Sequence, residues 1–152
     1  MFIFNPSFSI APRYNFLSKI LPLQSILSDI QLMQPTIDST RFGEITIDGK
    51  NYTHDVVIGL DGTVRNRNKR LSSAQYGTSH ILSLDEAQDV YAAGAALLIV
   101  GTGQTGYVEL SDRANEYFKQ HGCHVLLLPT PQAVETWNSV EEAAIGLFHV
   151  TC

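Results

Sequence analysis

Apolar positions change their spacing partway along this chain, and the change divides it into a β-rich part and a helix-and-strand part. Regularity begins near Ile30. Glu44-Ile45-Thr46-Ile47 alternates polar and apolar, Asp48-Gly49 offers the positive φ of a tight turn, and residues 52–58 run on as a strand. Asp61-Gly62 repeats the turn signal and leads into Thr63-Val64-Arg65. Two such turns between β-rich runs predict an antiparallel meander of about three strands over residues 43–68.

From residue 83 the period becomes helical. Ser83-Leu84-Asp85-Glu86 reads as a capping box, with Ala87, Val90, Tyr91 and Gly94 on one face and Gly94 suited to a left-handed helix end. The unbroken apolar run Ala95-Ala96-Leu97-Leu98-Ile99-Val100 predicts a buried strand. Ser111 caps a second helix with Ala114, Tyr117 and Phe118 on one face, ending at Lys119, His121 and Gly122. Residues 124–128 are apolar on both faces, as in a parallel strand covered by helices on both sides. Thr130-Pro131 reads as an N-cap with proline at the first helical position, opening a third helix through Trp137. Ser139-Val140-Glu141-Glu142 is a second capping box that restarts or continues it, and 145–151 has the residues of a closing strand. The order, a β meander and then α-β-α-β-α-α-β, predicts an α/β domain with a mixed central sheet over residues 29–152.

Residues 1–28 differ. They carry no Asp or Glu, and Pro6, Pro12, Arg13 and Pro22 break every apolar run too early for a membrane-spanning helix. No charged segment precedes an uninterrupted apolar core, so a secretory signal is not expected, and the arginine content is thin for an organelle transit peptide. They are expected to form an extension, loosely packed or disordered.

At 152 residues, 44% hydrophobic and 16% charged, the chain is long enough to build a core without disulfides or metal. A net charge of -5 argues against nucleic acid, which favours a basic face. The one basic cluster, Arg65, Arg67, Lys69 and Arg70, reads as a solvated strand end. Two cysteines, Cys123 and Cys152, make no disulfide framework and fit a reducing compartment, the cytoplasm, or the mitochondrion if the source is eukaryotic.

Gly101-Thr102-Gly103-Gln104-Thr105-Gly106 after the buried strand matches G-x-G-x-x-G, the fingerprint of a dinucleotide site. The context does not fit. Tyr107-Val108-Glu109-Leu110 intervenes before the next helix cap, and strand 124–128 ends in Pro129-Thr130 with no acid for a ribose. No cofactor is expected. At least one of Gly101, Gly103 and Gly106 should have positive φ, because the strand must turn sharply there. His121-Gly122-Cys123-His124 crowds three metal-ligand types together but lacks ligand spacing, and Cys123 opens an apolar strand where a thiol is inert, so no metal site is expected. Neither G-x-S-x-G nor a phosphate-binding G-x-x-x-x-G-K-[ST] loop occurs. Asp48 and Asp61 are explained by turns, Glu86 and Glu142 by caps.

Several segments in order carry a resemblance: Phe42-Gly43 with Ile47-Asp48-Gly49 and Tyr52; Asp55-Val56 with Asp61-Gly62; Gly77-Thr78-Ser79-His80; Leu98-Ile99-Val100-Gly101-Thr102-Gly103; Thr130-Pro131-Gln132-Ala133-Val134; Trp137-Asn138; and Leu147-Phe148-His149-Val150-Thr151-Cys152. Over about residues 30–152 the chain resembles the small domain family that includes the adipogenesis-associated domain protein and mitochondrial complex I assembly factor 3. The resemblance implies a three-layer α/β fold with a mixed sheet and an antiparallel last strand, and no established catalytic activity. It marks His80, Gly101, Thr102, Gly103, Thr130 and Asn138 as positions in recurrent motifs. Many members have a tryptophan after strand 63–67, where this chain reads Asn66-Arg67-Asn68-Lys69-Arg70.

The reading is a non-catalytic binding or assembly module with a protein partner, as a monomer or a homodimer. The alternative is an enzyme for a small molecule or anion, using a cleft formed by the 101–106 loop, the 77–80 loop and Thr130. The candidate ligand-binding residues are His80, Gly101, Thr102, Gly103, Gln104, Thr130 and Asn138. Glycine-loop N–H groups and a helix start attract anions, and an imidazole before a helix cap suits acid–base work. His80 must then lie within about 10 Å of the glycine loop to share one small guest. A chain begun near Asp29 should melt cooperatively at a temperature close to that of the full chain, and a large loss of thermal stability would mean that residues 1–28 fill a core groove or a dimer contact.

Overall fold

The computed structural model describes Ser25 and residues 33–152, so the extension expected over 1–28 lies, Ser25 aside, outside the described residues. The strands are β1 (Ile37–Arg41), β2 (Glu44–Ile47), β3 (Lys50–Tyr52), β4 (Val56–Ile58), β5 (Val64–Asn66), β6 (Ile81–Leu82), β7 (Leu97–Thr102), β8 (Glu109–Leu110), β9 (His124–Leu128) and β10 (Ala144–His149). The helices are α1 (Arg70–Tyr76), α2 (Leu84–Val90), α3 (Asp112–Gln120) and α4 (Thr130–Ser139). A mixed sheet of order β5-β4-β10-β7-β9 forms the centre, with an antiparallel β1-β2-β3 sheet and a parallel β6-β8 pair beside it.

Side-chain alternation along the central strands separates two cores. Val56, Ile58, Leu97, Ile99, Ala144 and Phe148 pack with β1, β2 and α4 on one face. Val57, Leu98, Val100, Ile145 and Leu147 pack with α2 and α3 on the other. The fold is therefore three-layered. Its last strand runs antiparallel to β4 and parallel to β7, which puts β10 in the middle of the sheet.

The predicted antiparallel meander forms as β1-β2-β3, but it starts earlier than residue 43, and residues 56–66 make a second hairpin in the central sheet. Asp48 and Gly49 both have positive φ, at 46° and 78°, so they close β2 onto β3 with the twist that a two-residue hairpin wants. The chain then leaves this sheet at residues 53–55 and forms β4–β5 at the edge of the central one. Periodicity reports a strand's faces and not the sheet it joins. The expectation for β9 also needs correction: it is an edge strand with Leu126 39% and Leu127 45% exposed, so neither face is fully covered as a central strand's would be. The second capping box forms no helix. α4 ends at Ser139, whose Oγ donates to the carbonyls of Glu135 and Thr136, and Glu141 and Glu142 lie in the connection to β10.

The Trp137 and Phe148 rings meet edge to face at 5.8 Å, and the indole N–H donates to the Pro35 carbonyl at 2.8 Å. Gly146 lies under both rings: a Cβ there would stand 2.5 Å from Phe148 and 3.0 Å from Trp137. Gly146→Ala should therefore destabilise by about 1–3 kcal/mol through overpacking, read as a lower denaturant midpoint at unchanged slope.

Candidate functional site

The glycine run leaves β7 and turns back on itself. Gly103 and Gly106 have φ of 109° and 86°, as the sharp turn required, while Gly101 keeps a strand conformation. The close approach at Gly101 is steric: an added Cβ would lie 2.9 Å from Thr130 Oγ1 and 3.0 Å from Phe148. β8 and then α3, capped by Ser111 Oγ accepting from the Ala114 N–H, begin well after the last glycine. Two of the loop N–H groups that would face a phosphate are occupied. Gly103 N–H donates to Thr130 Oγ1 at 3.0 Å, and Thr105 N–H donates to the Cys152 carbonyl at 2.7 Å.

Thr130 is the first residue of α4, and Pro129 holds the capping position, one residue earlier than expected. Its hydroxyl donates to the His149 carbonyl at 2.6 Å, so Thr130 clamps the glycine loop to the end of β10. Thr102 Oγ1 donates to the Leu128 carbonyl at 3.0 Å, and Gln104 Nε2 reaches Thr40 Oγ1 at 3.3 Å. His80 joins this corner: its carbonyl accepts from Glu109 N–H, its ring lies 5.4 Å from that of His149, and its Nε2 is 3.5 Å from Cys152 Sγ. Six of the seven candidate residues thus meet at one sheet end. Asn138 does not. It sits two turns along α4, roughly 12 Å from Thr130, and its amide accepts from Ile37 N–H and donates to the Ile37 carbonyl, fixing β1.

A buried ionic network stands behind this corner. Arg67 donates through Nε and Nη2 to Glu86 at 2.5 and 3.1 Å, through Nη1 to Asp55 Oδ2 at 3.1 Å, and through Nη2 to the Ser79 carbonyl at 2.7 Å. The basic cluster is therefore not uniformly solvated, because Arg67 is 4% exposed. Glu86 departs from the capping-box reading. Ser83 Oγ does accept from Glu86 N–H, but the Glu86 carboxylate binds Arg67 and the Ser72 hydroxyl, while Ser83 N–H goes to Ser72 Oγ. Asp55 also accepts from Val150 N–H at 3.1 Å, from His149 Nδ1 at 2.7 Å, and pairs with Lys69 at 3.2 Å. Burial alone would raise the Asp55 carboxyl, yet the His149 hydrogen bond and charge, the Val150 amide and Lys69 together hold it well below the usual range. Burial works against the Arg67 charge, and Glu86 and Asp55 overcome it, raising its pKa further.

Asp55, Arg67 and His149 escape sequence reasoning because each looks ordinary in its own segment. The available signal is two charges and an imidazole inside or beside runs otherwise dense in Val, Ile, Leu and Phe. In the 121–124 segment, burial pushes the Cys123 thiol up to about 11, while His124 is exposed at the start of the edge strand.

Comparison with known proteins places the chain. Residues 37–146 match the protein family of unknown function DUF498/DUF598, and the chain belongs to that family. A conserved hypothetical protein from Pyrococcus horikoshii, PH1505, has a similar structure, with TM-score 0.71 and 30% identity over 77% of this chain and 99% of that one. The structure named MT938 matches with TM-score 0.66 and 30% identity over 78% of this chain and 100% of its own. A Mth938-like domain from Bordetella pertussis shares the fold at TM-score 0.54 and 15% identity over 78% and 87% of the two chains. None of the described helices is long and apolar enough to cross a membrane.

A carboxyl held below its ordinary 3.8 stabilises the fold above that value and ceases to do so as pH falls toward its folded value. Asp55→Asn should therefore cost about 3–5 kcal/mol near pH 7, and the gap from the parent should narrow below about pH 4 when both are unfolded by denaturant across pH.

Proposed function

We propose that the protein is a non-catalytic binding module of the assembly-factor kind, which takes a protein partner along the free edge of β9. The observation that carries this is the edge itself. β9 pairs only with β7 among the described residues, and its outer side presents unpaired backbone groups. Exposed edges are ordinarily blunted by lysine, proline or a bulge. His124-Val125-Leu126-Leu127-Leu128 has none of these, and its two most exposed leucines are adjacent and point to opposite faces, so both faces of the edge are apolar. Such an edge suits an added strand, whose main chain supplies affinity and whose side chains meet Leu126 and Leu127. The cytoplasm, or the mitochondrion of a eukaryote, is the compartment in which the module would act.

The alternative, an anion or small-molecule enzyme at the 101–106 loop, has the convergence of His80, Gly103 and Thr130 in its favour. Against it, the Gly103 and Thr105 N–H groups and the Thr130 hydroxyl already donate inside the protein. Converting Leu126 and Leu127 together to Lys tests the edge. The variant should melt close to the parent and lose the proteins that the parent retains from native lysate. Sedimentation should show a dimer abolished by the same changes if the partner is a second copy. Equal retention by both chains would overturn the reading.

A further inference from the structure

His80 and the pair His149 and Cys152, three residues apart, come from two distant segments, yet one ligand atom of each lies within 4.8 Å of the other two. We propose that they form a site for one borderline-soft divalent cation of the zinc type, with two imidazoles and a thiolate as protein ligands and a further position open to water or an incoming group. Four observations bear on this. The first is spacing: zinc bonds of about 2.0–2.1 Å to nitrogen and 2.3 Å to sulfur at a tetrahedral angle put N and S ~3.5 Å apart. His80 Nε2 and Cys152 Sγ are 3.5 Å apart. The remaining separations are no more than 4.8 Å, and His80 and Cys152 are only half-buried, so their side chains have room to turn.

The second observation is that His149 is already oriented as a metal ligand. Its Nδ1 donates to Asp55 Oδ2 at 2.7 Å, which leaves Nε2 as the nitrogen with a lone pair to offer a cation. Carboxylate–histidine–metal arrangements use this same partner to fix the ring and raise its basicity. Asp55 is in turn held by Arg67, Lys69 and the Val150 amide, so the positioning group cannot swing away. His149 Nε2 lies 3.2 Å from the Thr151 hydroxyl, a neutral partner that a metal would displace.

The third observation separates a metal set from a thiol nucleophile. A nucleophile needs one activating base. Here Cys152 Sγ lies 3.5 Å from His80 Nε2, and a ligand atom of His149, oriented by Asp55, lies within 4.8 Å of both, a second imidazole that a thiol with one base would not need. The fourth is accessibility. Tyr107, 62% exposed, flanks His80 with ring centroids 6.1 Å apart, and His80 and Cys152 are themselves half-buried, so the cluster lies close to the surface. The inference does not depend on docking at β9, and the two fail separately.

Cobalt(II) replaces zinc at such sites and reports its ligands by colour, so it is the probe to add to the reduced full-length chain. One equivalent should give intense tetrahedral visible bands and a near-ultraviolet thiolate charge-transfer band, both removed by zinc. Cys152→Ser should abolish the charge-transfer band, and Cys123→Ser should keep it. Loss of an outer partner alone weakens such sites roughly 10–100-fold, so His80→Ala, which removes a ligand outright and none of the hydrogen bonds of Asp55, should weaken cobalt binding by at least about tenfold with an apo melting temperature close to the parent's. No tetrahedral spectrum at stoichiometric cobalt would overturn the proposal, as would a band that survives Cys152→Ser or an affinity unmoved by His80→Ala.

Discussion

Arg67 carries a guanidinium with no access to water, and three parts of the fold are built to receive it. β4 begins beside Asp55, α2 turns Glu86 inward from its first turn, and the loop before β6 lends the Ser79 carbonyl. A charge in that position is costly unless every donor is met, and all of its buried neighbours are met: no buried side-chain nitrogen or oxygen among the described residues lacks a partner. Removing one acceptor leaves an uncompensated buried charge, at a cost of about 3–5 kcal/mol against a total stability of roughly 5–15 kcal/mol. The position of α2 against the β4–β5 hairpin therefore depends on this one residue to an extent that apolar packing, which tolerates sliding, does not impose.

The same network determines what happens at the sheet end. Asp55 divides its oxygens, with Oδ1 taking the Val150 amide and Oδ2 shared by Arg67, Lys69 and His149. The last residues of β10 are thus tied to the start of β4, and the His149 ring is turned to a fixed direction. Thr130 completes the clamp from the opposite side by linking the His149 carbonyl to the Gly103 amide. A glycine is needed at 103 for two reasons: its φ is positive, and a Cβ would come within 2.7 Å of the Thr151 carbonyl. The glycine run, which in a dinucleotide site faces a ligand, here faces the chain's own final turn.

Much of the fold is legible because its signals are local. Asp48-Gly49, the apolar run through Val100 and the Ser111 cap each state their structure within a few residues, and each is found where the residues put it. What is not legible is non-local. Alternation in residues 44–66 cannot say that the chain changes sheets at residue 53, and apolar character in residues 124–128 cannot distinguish a covered strand from an exposed edge. Glu86 shows the limit most clearly. Its spacing from Ser83 satisfies a capping box, and the backbone half of that box forms, but an arginine nineteen residues earlier outcompetes an amide for the carboxylate. A full charge at 2.5 Å in a buried setting is worth more than a neutral N–H.

The candidate site divides in the same way. Gly101, Thr102, Gly103, Gln104 and Thr130 are found together because motif and strand end coincide in the sequence, and His80 joins them because the parallel β6–β8 pair carries it beside the loop. Asn138 shares only the motif set with them, and helix geometry takes it two turns away to hold β1. His149 and Cys152 stand three apart, but a single His-x-x-Cys pair without a second pair in the sequence is a weak signal. Their meeting with His80 requires β10 to lie centrally, with its C-terminal end beside the end of β7 and the start of β4. An inserted last strand therefore does more than close the sheet: it brings residues from the chain's final turn to the corner where the buried Asp55 carboxylate and the glycine loop already meet.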